Sequence, residues 1–302
     1  MVRKIGTDWG LNVRMVLTLF LLACLYLAFI VALAVFHVNF ILIVVIAGIL
    51  LLGQYYFSDQ LILLSLGARE VSEQEAPQLH DMVGRLAALT NLPKPRVAII
   101  DSPVPNALAT GRNPKHSVVA VTTSLLQALE PEEIEAVLAH ELSHVIHRDM
   151  KVMAMASFFA TVASFIVQSG LWGGFYGGGG DNEDRDRGSS FIVIFLVSVL
   201  VWAISFVLIR TLSRYREYSA DRGSAIITGQ PSKLASALVK ISGRMQRIPD
   251  ADLRTVEAGN TLMFFPAVSR GSISEIFSTH PSLEHRLAKL EEMEANLANP
   301  TR

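Results

Sequence analysis

The residues with the clearest chemical potential are His140, Glu141 and His144, within the segment His-Glu-Leu-Ser-His. Two histidines four residues apart on a helix project from one face and can bind the same metal ion. The carboxylate beside the first histidine is then placed to accept a proton from a water molecule at that metal. The pattern H-E-x-x-H is typical of zinc hydrolases. So short a pattern also occurs by chance on exposed helices. Whether it marks a metal site here therefore depends on the rest of the sequence.

Long uncharged runs dominate the rest of the chain. Of its 302 residues 51% are hydrophobic and 18% are charged, and the mean hydropathy of +0.41 is high for a soluble domain. The net charge of −1 gives no indication of nucleic-acid binding. A helix that crosses a bilayer needs about 20 apolar residues. Four runs approach or exceed that length, and we expect four transmembrane helices, at 15–36, 40–57, 152–172 and 191–209.

Two features of the runs bear on orientation. A signal peptide would explain the first run, but its length and the second run directly behind it argue against one. With four spans, the basic residues near the membrane fall on one side: Arg3, Lys4, Arg14, Arg69, Arg148, Lys151, Arg210, Arg214 and Arg216. The other side has a short turn and the glycine- and aspartate-rich loop 173–190. The positive-inside rule predicts a multi-pass protein of the cell membrane, surrounded by lipid bilayer, with both termini and the catalytic domain in the cytoplasm.

The spans also indicate where a third metal ligand can come from. A catalytic zinc needs three protein ligands and an open position for water. Spans three and four form a hairpin, so the segments flanking them lie side by side. Glu217 lies seven residues after Arg210, roughly 10 Å from the boundary at about 1.5 Å per helical residue. His144 lies seven residues before Lys151, at a similar height. Glu217 can therefore complete the site.

Asp221 follows Glu217 by one helical turn, on the same face. It is well placed to accept the free N–H of a metal-binding histidine. The spacing leaves a second interpretation open, in which Glu217 pairs with Arg214 or Arg216 on a solvated helix face.

The polar segments contain helices and short strands. Apolar residues recur at helical spacing in 71–89, with a start near Glu75. Pro131 suits the first position of the helix that carries the two histidines, with acidic residues in its first turn. We expect strands at 96–100 and 117–122, an extended segment at 106–110, and further helices at 211–227, 232–248 and 281–296.

Four segments in a fixed order make the chain resemble a known family. They are 106–111 (NALATG), 140–149 (HELSHVIHRD), 216–221 (REYSAD) and 279–282 (THPS). Together they resemble the HtpX-type membrane zinc metalloproteases, relatives of the CAAX prenyl proteases. The resemblance covers nearly the whole chain, and the motifs have the expected spans between them.

The resemblance implies a role for each metal-site residue. His140, His144 and Glu217 bind one zinc ion per chain. Glu141 is the general base and later the proton donor, and Asp221 orients a ligand. The sequence leaves open whether another divalent metal replaces zinc in the cell.

Three further residues receive roles in the same way. Asn106 and Ala107 pair with the substrate backbone on an edge strand, as a similar pair does in thermolysin-like enzymes. His280 stabilises the oxyanion. The alternatives are structural roles, in which Asn106 caps a turn after Pro105 and His280 begins a helix before Pro281.

The implied fold is mainly α, in the α+β class, with four transmembrane helices and a cytoplasmic zincin-like metalloprotease domain carrying a small β-sheet. Its expected parts are an N-terminal transmembrane hairpin (1–57), a first catalytic part with the zinc helix (58–150), a second transmembrane hairpin (151–209) and a second catalytic part with the third ligand (210–302).

The implied activity is zinc-dependent endopeptidase cleavage of misfolded or misassembled membrane proteins, in quality control. One alternative is a CAAX-type processing peptidase, although those relatives have more spans, which enclose a chamber. Another is a zinc-stabilised membrane scaffold or holdase without protease activity, although Glu141 would then have no purpose.

Overall fold

The computed structural model describes residues 9–35, 41–176, 184–245, 247 and 281–298. These residues form mainly α-helices with four short strands. The helices are α1 (Trp9–Val35), α2 (Ile41–Tyr56), α3 (Ser58–Ser65), α4 (Pro77–Thr90), α5 (Thr123–Ala128), α6 (Pro131–His147), α7 (Asp149–Tyr176), α8 (Asp184–Thr228), α9 (Pro231–Met245) and α10 (Leu283–Ala298). The strands are β1 (Arg69–Glu70), β2 (Arg96–Ile100), β3 (Ala107–Thr110) and β4 (Val118–Thr122).

The described residues divide into two compact units. The first, called the sheet unit, lies within 55–151 and 213–302. The second, called the apolar unit, lies within 9–54 and 152–212.

The apolar unit packs long helices around leucine, aromatic and small side chains. Its buried residues are Leu22, Tyr26, Phe29, Leu33, Ala156, Val162, Ala163, Val201 and Leu212. The Tyr26 hydroxyl donates a 2.6 Å hydrogen bond to the carbonyl of Ala156, so this polar group is satisfied inside the unit. Other apolar side chains of α1, such as Val16, Phe20 and Leu27, are exposed. Apolar exposed faces are typical of helices whose surroundings are lipid.

Two of the described helices are long and apolar enough to cross a membrane. They are Trp9–Val35, with a mean hydropathy of 2.8, and Ile192–Thr228, with 3.1. The structure thus supports two apolar spans, which overlap the predicted first and fourth and extend beyond them, and the four-span arrangement stays a prediction. The predicted loop 173–190 is partly helical, because α7 continues to Tyr176 and α8 begins at Asp184.

The sheet unit contains a mixed four-stranded sheet in the order β1-β2-β4-β3. Strand β4 is buried along its whole length and pairs in parallel with β2, with Ala98 opposite Ala120. Strand β3 pairs antiparallel with β4, with Leu108 opposite Ala120, and is one of the two outer strands of the described sheet, β1 being the other. The predicted strands at 96–100 and 117–122 therefore correspond to β2 and β4.

A tight loop joins β3 to β4. Gly111 has a φ of +135°, and a Cβ there would lie 2.2 Å from the carbonyl oxygen of His116, so a side chain does not fit. The Asn113 side chain accepts a hydrogen bond of 3.1 Å from the His116 N–H and closes the turn. The loop sets the antiparallel register between β3 and β4.

Helix α6 is anchored at both ends. Pro131 occupies its first turn, as expected, and the Glu130 N–H donates to the Glu133 carboxylate at 2.8 Å. Glu133 is buried and also accepts hydrogen bonds from Ser236 and Lys240 of α9. The helix ends where Arg148 adopts the left-handed conformation, with a φ of 55°. The histidines are thus carried by a helix with fixed ends.

Candidate metal centre

Three side chains from two helices converge on one point. His140 and His144 come from α6 and Glu217 comes from α8, and each offers one ligand atom within 4.8 Å of the others. The Nε2 atoms of the two histidines are 3.2 Å apart. The Glu217 carboxylate lies 3.6 Å from Nε2 of His140 and 3.5 Å from Nε2 of His144. Two imidazole nitrogens and a carboxylate oxygen are a donor set that suits zinc.

The other nitrogen of each histidine faces a carboxylate. Nδ1 of His140 lies 2.9 Å from Asp221, and Nδ1 of His144 lies 2.6 Å from Asp149. A carboxylate at this distance holds the proton on Nδ1, which leaves Nε2 free to bind a metal. Both rings therefore present the same nitrogen to Glu217.

The electrostatics of the site favour a cation between these residues. Burial lowers the pKa of His140, but hydrogen bonds with Asp221 and Glu217 outweigh it and raise that pKa to about 9. Positive charge is thus favourable at this fully buried imidazole. A divalent metal ion supplies such charge, so the residues present fit the metal that the motif implies.

Two arginines compensate the buried carboxylates. Arg286 of α10 is buried and donates two hydrogen bonds to Asp221, at 2.9 and 2.6 Å, and its Nη1 lies 3.9 Å from Glu217. Nε of Arg216 lies 3.0 Å from Asp149. Burial raises the pKa of Asp221 and of Asp149, yet the facing arginine and histidine lower each below its ordinary value. Both carboxylates therefore remain charged.

Glu141 points into the site from the same helix. It is 2% exposed, and its Oε1 has no hydrogen-bond partner within the part of the chain that the structure describes. Burial raises the pKa of Glu141, although the two histidines and a hydrogen bond from the Ala109 N–H act in the opposite direction. A buried carboxylate whose Oε1 is unpartnered among the described residues, beside three side chains that could bind a metal ion, is suited to hold a water molecule and accept its proton.

Asn106 and Ala107 lie at the start of β3. The Asn106 main chain is paired with Thr122, since its carbonyl accepts the Thr122 N–H at 2.9 Å and its N–H donates to Thr122 Oγ1 at 2.8 Å. Main-chain groups alternate in direction along an antiparallel strand. Ala107 and Ala109 therefore direct their N–H and C=O groups away from β4. The Asn106 Oδ1 accepts the Ala107 N–H at 2.9 Å.

Glu217 is buried beside the two histidines, where the sequence places its candidate third ligand. The alternative, an ion pair with Arg216 on a solvated face, does not match the structure, because Arg216 contacts Asp149. His280 lies outside the described residues. Asp149 and Arg286 received no role from the sequence, although Asp149 ends the motif segment 140–149.

A signal for Arg286 was present in the sequence. It shares the helical spacing of Leu283, Leu287 and Leu290, which pack in the core. A charged residue on the apolar face of an amphipathic helix indicates a buried partner.

The fold and site together define a class of protein, the membrane-embedded metallopeptidases. The family described as peptidase family M48 matches residues 73–294, and the chain belongs to this family. The protein is a membrane metalloendopeptidase, and its full-length relatives confirm the predicted resemblance to HtpX-type proteases.

Full-length relatives support this assignment. The chain is 58% identical to a "Protease HtpX homolog" of Moorella thermoacetica, over 98% of this chain and 99% of that protein. It is 53% identical to "Protease HtpX homolog 2" of Methanosarcina mazei, over 99% and 100% of the two chains. It is 46% identical to "Protease HtpX homolog 1" of Streptomyces coelicolor, over 98% and 97%.

A solved structure shares the fold. The crystal structure of S. mikatae Ste24p is similar with a TM-score of 0.56 and 18% identity. The similarity covers 94% of this chain and 66% of that one. The arrangement of the helices and sheet thus recurs in a protein of distant sequence.

Proposed function

We propose that the protein is a zinc endopeptidase of the cell membrane that cleaves misfolded or misassembled membrane proteins on the cytoplasmic side, as part of quality control. The observation that carries this proposal is the convergence of His140, His144 and Glu217 within 4.8 Å. Glu141 lies on the helix of the two histidines, and its Oε1 is unpartnered among the described residues. One zinc ion per chain would be held by these three side chains. Zinc, when bound, polarises a peptide carbonyl and makes a bound water more acidic.

The chain's own residues supply the proton transfers. Glu141 accepts a proton from the attacking water and then passes it to the leaving amine. Burial raises the pKa of this carboxyl above its ordinary value, which makes it a better proton acceptor than an exposed glutamate. Asp221 keeps the Nδ1 proton on His140. His280 is proposed to stabilise the oxyanion.

The outer strand β3 is the proposed site of substrate pairing. An extended peptide can add to a free sheet edge through main-chain hydrogen bonds. The outward carbonyls of Ala107 and Ala109 offer that edge, and Asn106 contributes its side-chain amide. The two N–H groups are bonded to Asn106 and Glu141, and a peptide pairs with them by replacing those contacts. The hydrogen bond from Ala109 to Glu141 supports this proposal, because it connects the strand to the base. Recognition through the main chain implies loose sequence preference.

Metal removal tests the proposed activity. Digestion of casein by the detergent-purified protein should stop when a chelator strips the metal and resume when zinc is added. The cleavage sites, mapped by mass spectrometry, should fall at varied sequences. Continued digestion by metal-stripped protein would contradict the proposal. Bound zinc without any cleavage would favour the scaffold, and cleavage confined to a prenylated C-terminal peptide would favour the CAAX-type alternative.

The proposed topology has four spans with both termini and the catalytic residues in the cytoplasm. The basic residues that flank the apolar runs support it. The relevant partners are then polypeptides at the cytoplasmic face of the bilayer, and nothing in the charge of the chain favours nucleic acid.

Cysteine labelling in intact cells tests that topology. The single native cysteine, Cys24, is first replaced by serine. Ser189→Cys should then react from outside with a membrane-impermeant thiol reagent, and Ser232→Cys should react only after lysis. Labelling of Ser232→Cys from outside would place the protease beyond the cytoplasm. Labelling of both positions from the same side would contradict the predicted hairpin of spans three and four.

A further inference from the structure

The two histidines of the metal centre obtain their carboxylate partners in different ways. Asp221, the partner of His140, belongs to α8, which also carries Glu217. Asp149, the partner of His144, belongs to α7, only five residues further along the chain. In an unbroken helix of 3.6 residues per turn, Asp149 would lie about 140° around the axis from His144. It could not then face the imidazole.

The helix break at Arg148 makes the contact possible. Arg148 has a φ of 55°, so α6 ends at His147 and the chain turns before α7 begins. This turn brings the Asp149 carboxylate to 2.6 Å from Nδ1 of His144. Positive φ is uncommon for a residue other than glycine. The conformation at Arg148 therefore determines which side chain faces Nδ1 of His144 in α6.

Arg216 fixes Asp149 from the other side. The Asp149 side chain is 3% exposed, and its Oδ2, the atom that faces His144, also lies 3.0 Å from Nε of Arg216. A buried carboxylate needs a compensating charge, and removal of that charge is strongly destabilising. Arg216 directly precedes Glu217 in α8. Helix α8, which carries Glu217, thus also holds Asp149, the partner of His144, through Arg216.

We infer that Asp149, held by Arg216, is a positioning residue that fixes the His144 ring with Nε2 directed at the metal. This inference rests on the proposed zinc site and deepens it. Arg216 acts through Asp149 and not on the metal itself. In consequence α8 orients both histidines, His140 through Asp221 and His144 through the pair Arg216–Asp149.

The test measures zinc affinity in the purified full-length protein by competition with a chromogenic chelator. The variants are Asp149→Asn, Arg216→Gln and their double variant, with Asp81→Asn on an exposed position of α4 as the matched control. Asn keeps the shape of Asp but lacks its charge. Partners of metal-binding histidines are typically worth about 10–100-fold in metal affinity. We expect a loss in that range for Asp149→Asn and no loss for Asp81→Asn.

The double variant separates the two residues. If Arg216 acts through Asp149, then Arg216→Gln should weaken zinc binding in the wild-type background and add nothing to Asp149→Asn. The absorption spectrum of the cobalt-substituted protein should change in both single variants, because the ligand geometry changes. A loss of fold stability alone would leave that spectrum unchanged in the folded fraction.

Three results would overturn these statements. Zinc affinity of Asp149→Asn within about twofold of wild type, with an unchanged cobalt spectrum, would refute the positioning role. Additive losses from Asp149→Asn and Arg216→Gln would refute the coupling between them. If Asp149→Asn does not fold, Arg216→Gln with normal zinc affinity and spectrum would refute the inference. Wild-type protein without measurable zinc affinity would instead overturn the proposed function.

Discussion

Glu141→Gln should abolish peptide hydrolysis while the protein keeps its metal. Glutamine has the shape of glutamate, and the three side chains that converge at the metal centre are unchanged. It cannot accept a proton from the attacking water, and general-base catalysis is typically worth about 10²–10⁴-fold in rate. Glu141 is 2% exposed and its Oε1 is without a partner among the described residues, so another carboxylate has little room to replace it.

The measurement is casein cleavage by protein whose zinc content has first been determined. Glu132→Gln is the matched control, because Glu132 lies on the same helix but is exposed. It should keep full activity. Near-normal turnover of the zinc-loaded Glu141→Gln protein would show that Glu141 is not the base.

Glu217→Ala should lose both metal and activity. Its carboxylate lies 3.6 and 3.5 Å from the two Nε2 atoms, so alanine leaves only the two histidines as protein ligands. The loss of zinc affinity should exceed the about 10–100-fold typical of an outer partner. Asp221→Asn should have the milder effect, since it removes a partner of His140 and not a ligand.

Zinc content after gel filtration and casein cleavage should be compared for both variants. Asparagine is preferable to alanine at Asp221, because Arg286 is buried against it and would otherwise lose all its hydrogen bonds to that side chain. Full zinc in Glu217→Ala together with none in Asp221→Asn would mean that Asp221 is the ligand and Glu217 the partner of a histidine.

Local patterns made part of this site predictable. The spacing of His140 and His144 depends only on helical periodicity, and Pro131 marks the helix start through its own backbone restriction. Strand β2 was predictable at Arg96–Ile100 because β-rich sequence is bounded there by prolines. Equal distances along two helices made Glu217 a candidate third ligand, and the family resemblance of segment 216–221 favoured it over a residue on a solvated face.

Other parts depend on a backbone conformation or on a distant partner that the local sequence does not specify. Asp149 meets His144 only because Arg148 is left-handed, and helices more often end in this way at glycine or asparagine. Arg286 reaches Asp221 from a helix 65 residues further along the chain. The outer position of β3 results from pairing between distant segments. Local propensity determines none of these contacts.

The outer edge of β3 has a consequence for how the protein behaves among its own copies. Unpaired strand edges can template the addition of strands from other chains and so lead to aggregation. Here the strand is four residues long, the Ala107 N–H is bonded to the Asn106 side chain and the Ala109 N–H to Glu141. The edge is therefore capped by groups of the same molecule. A substrate peptide that displaces these groups exchanges one hydrogen bond for another. Without substrate, the edge of β3 offers few free N–H groups to a second copy of the protein.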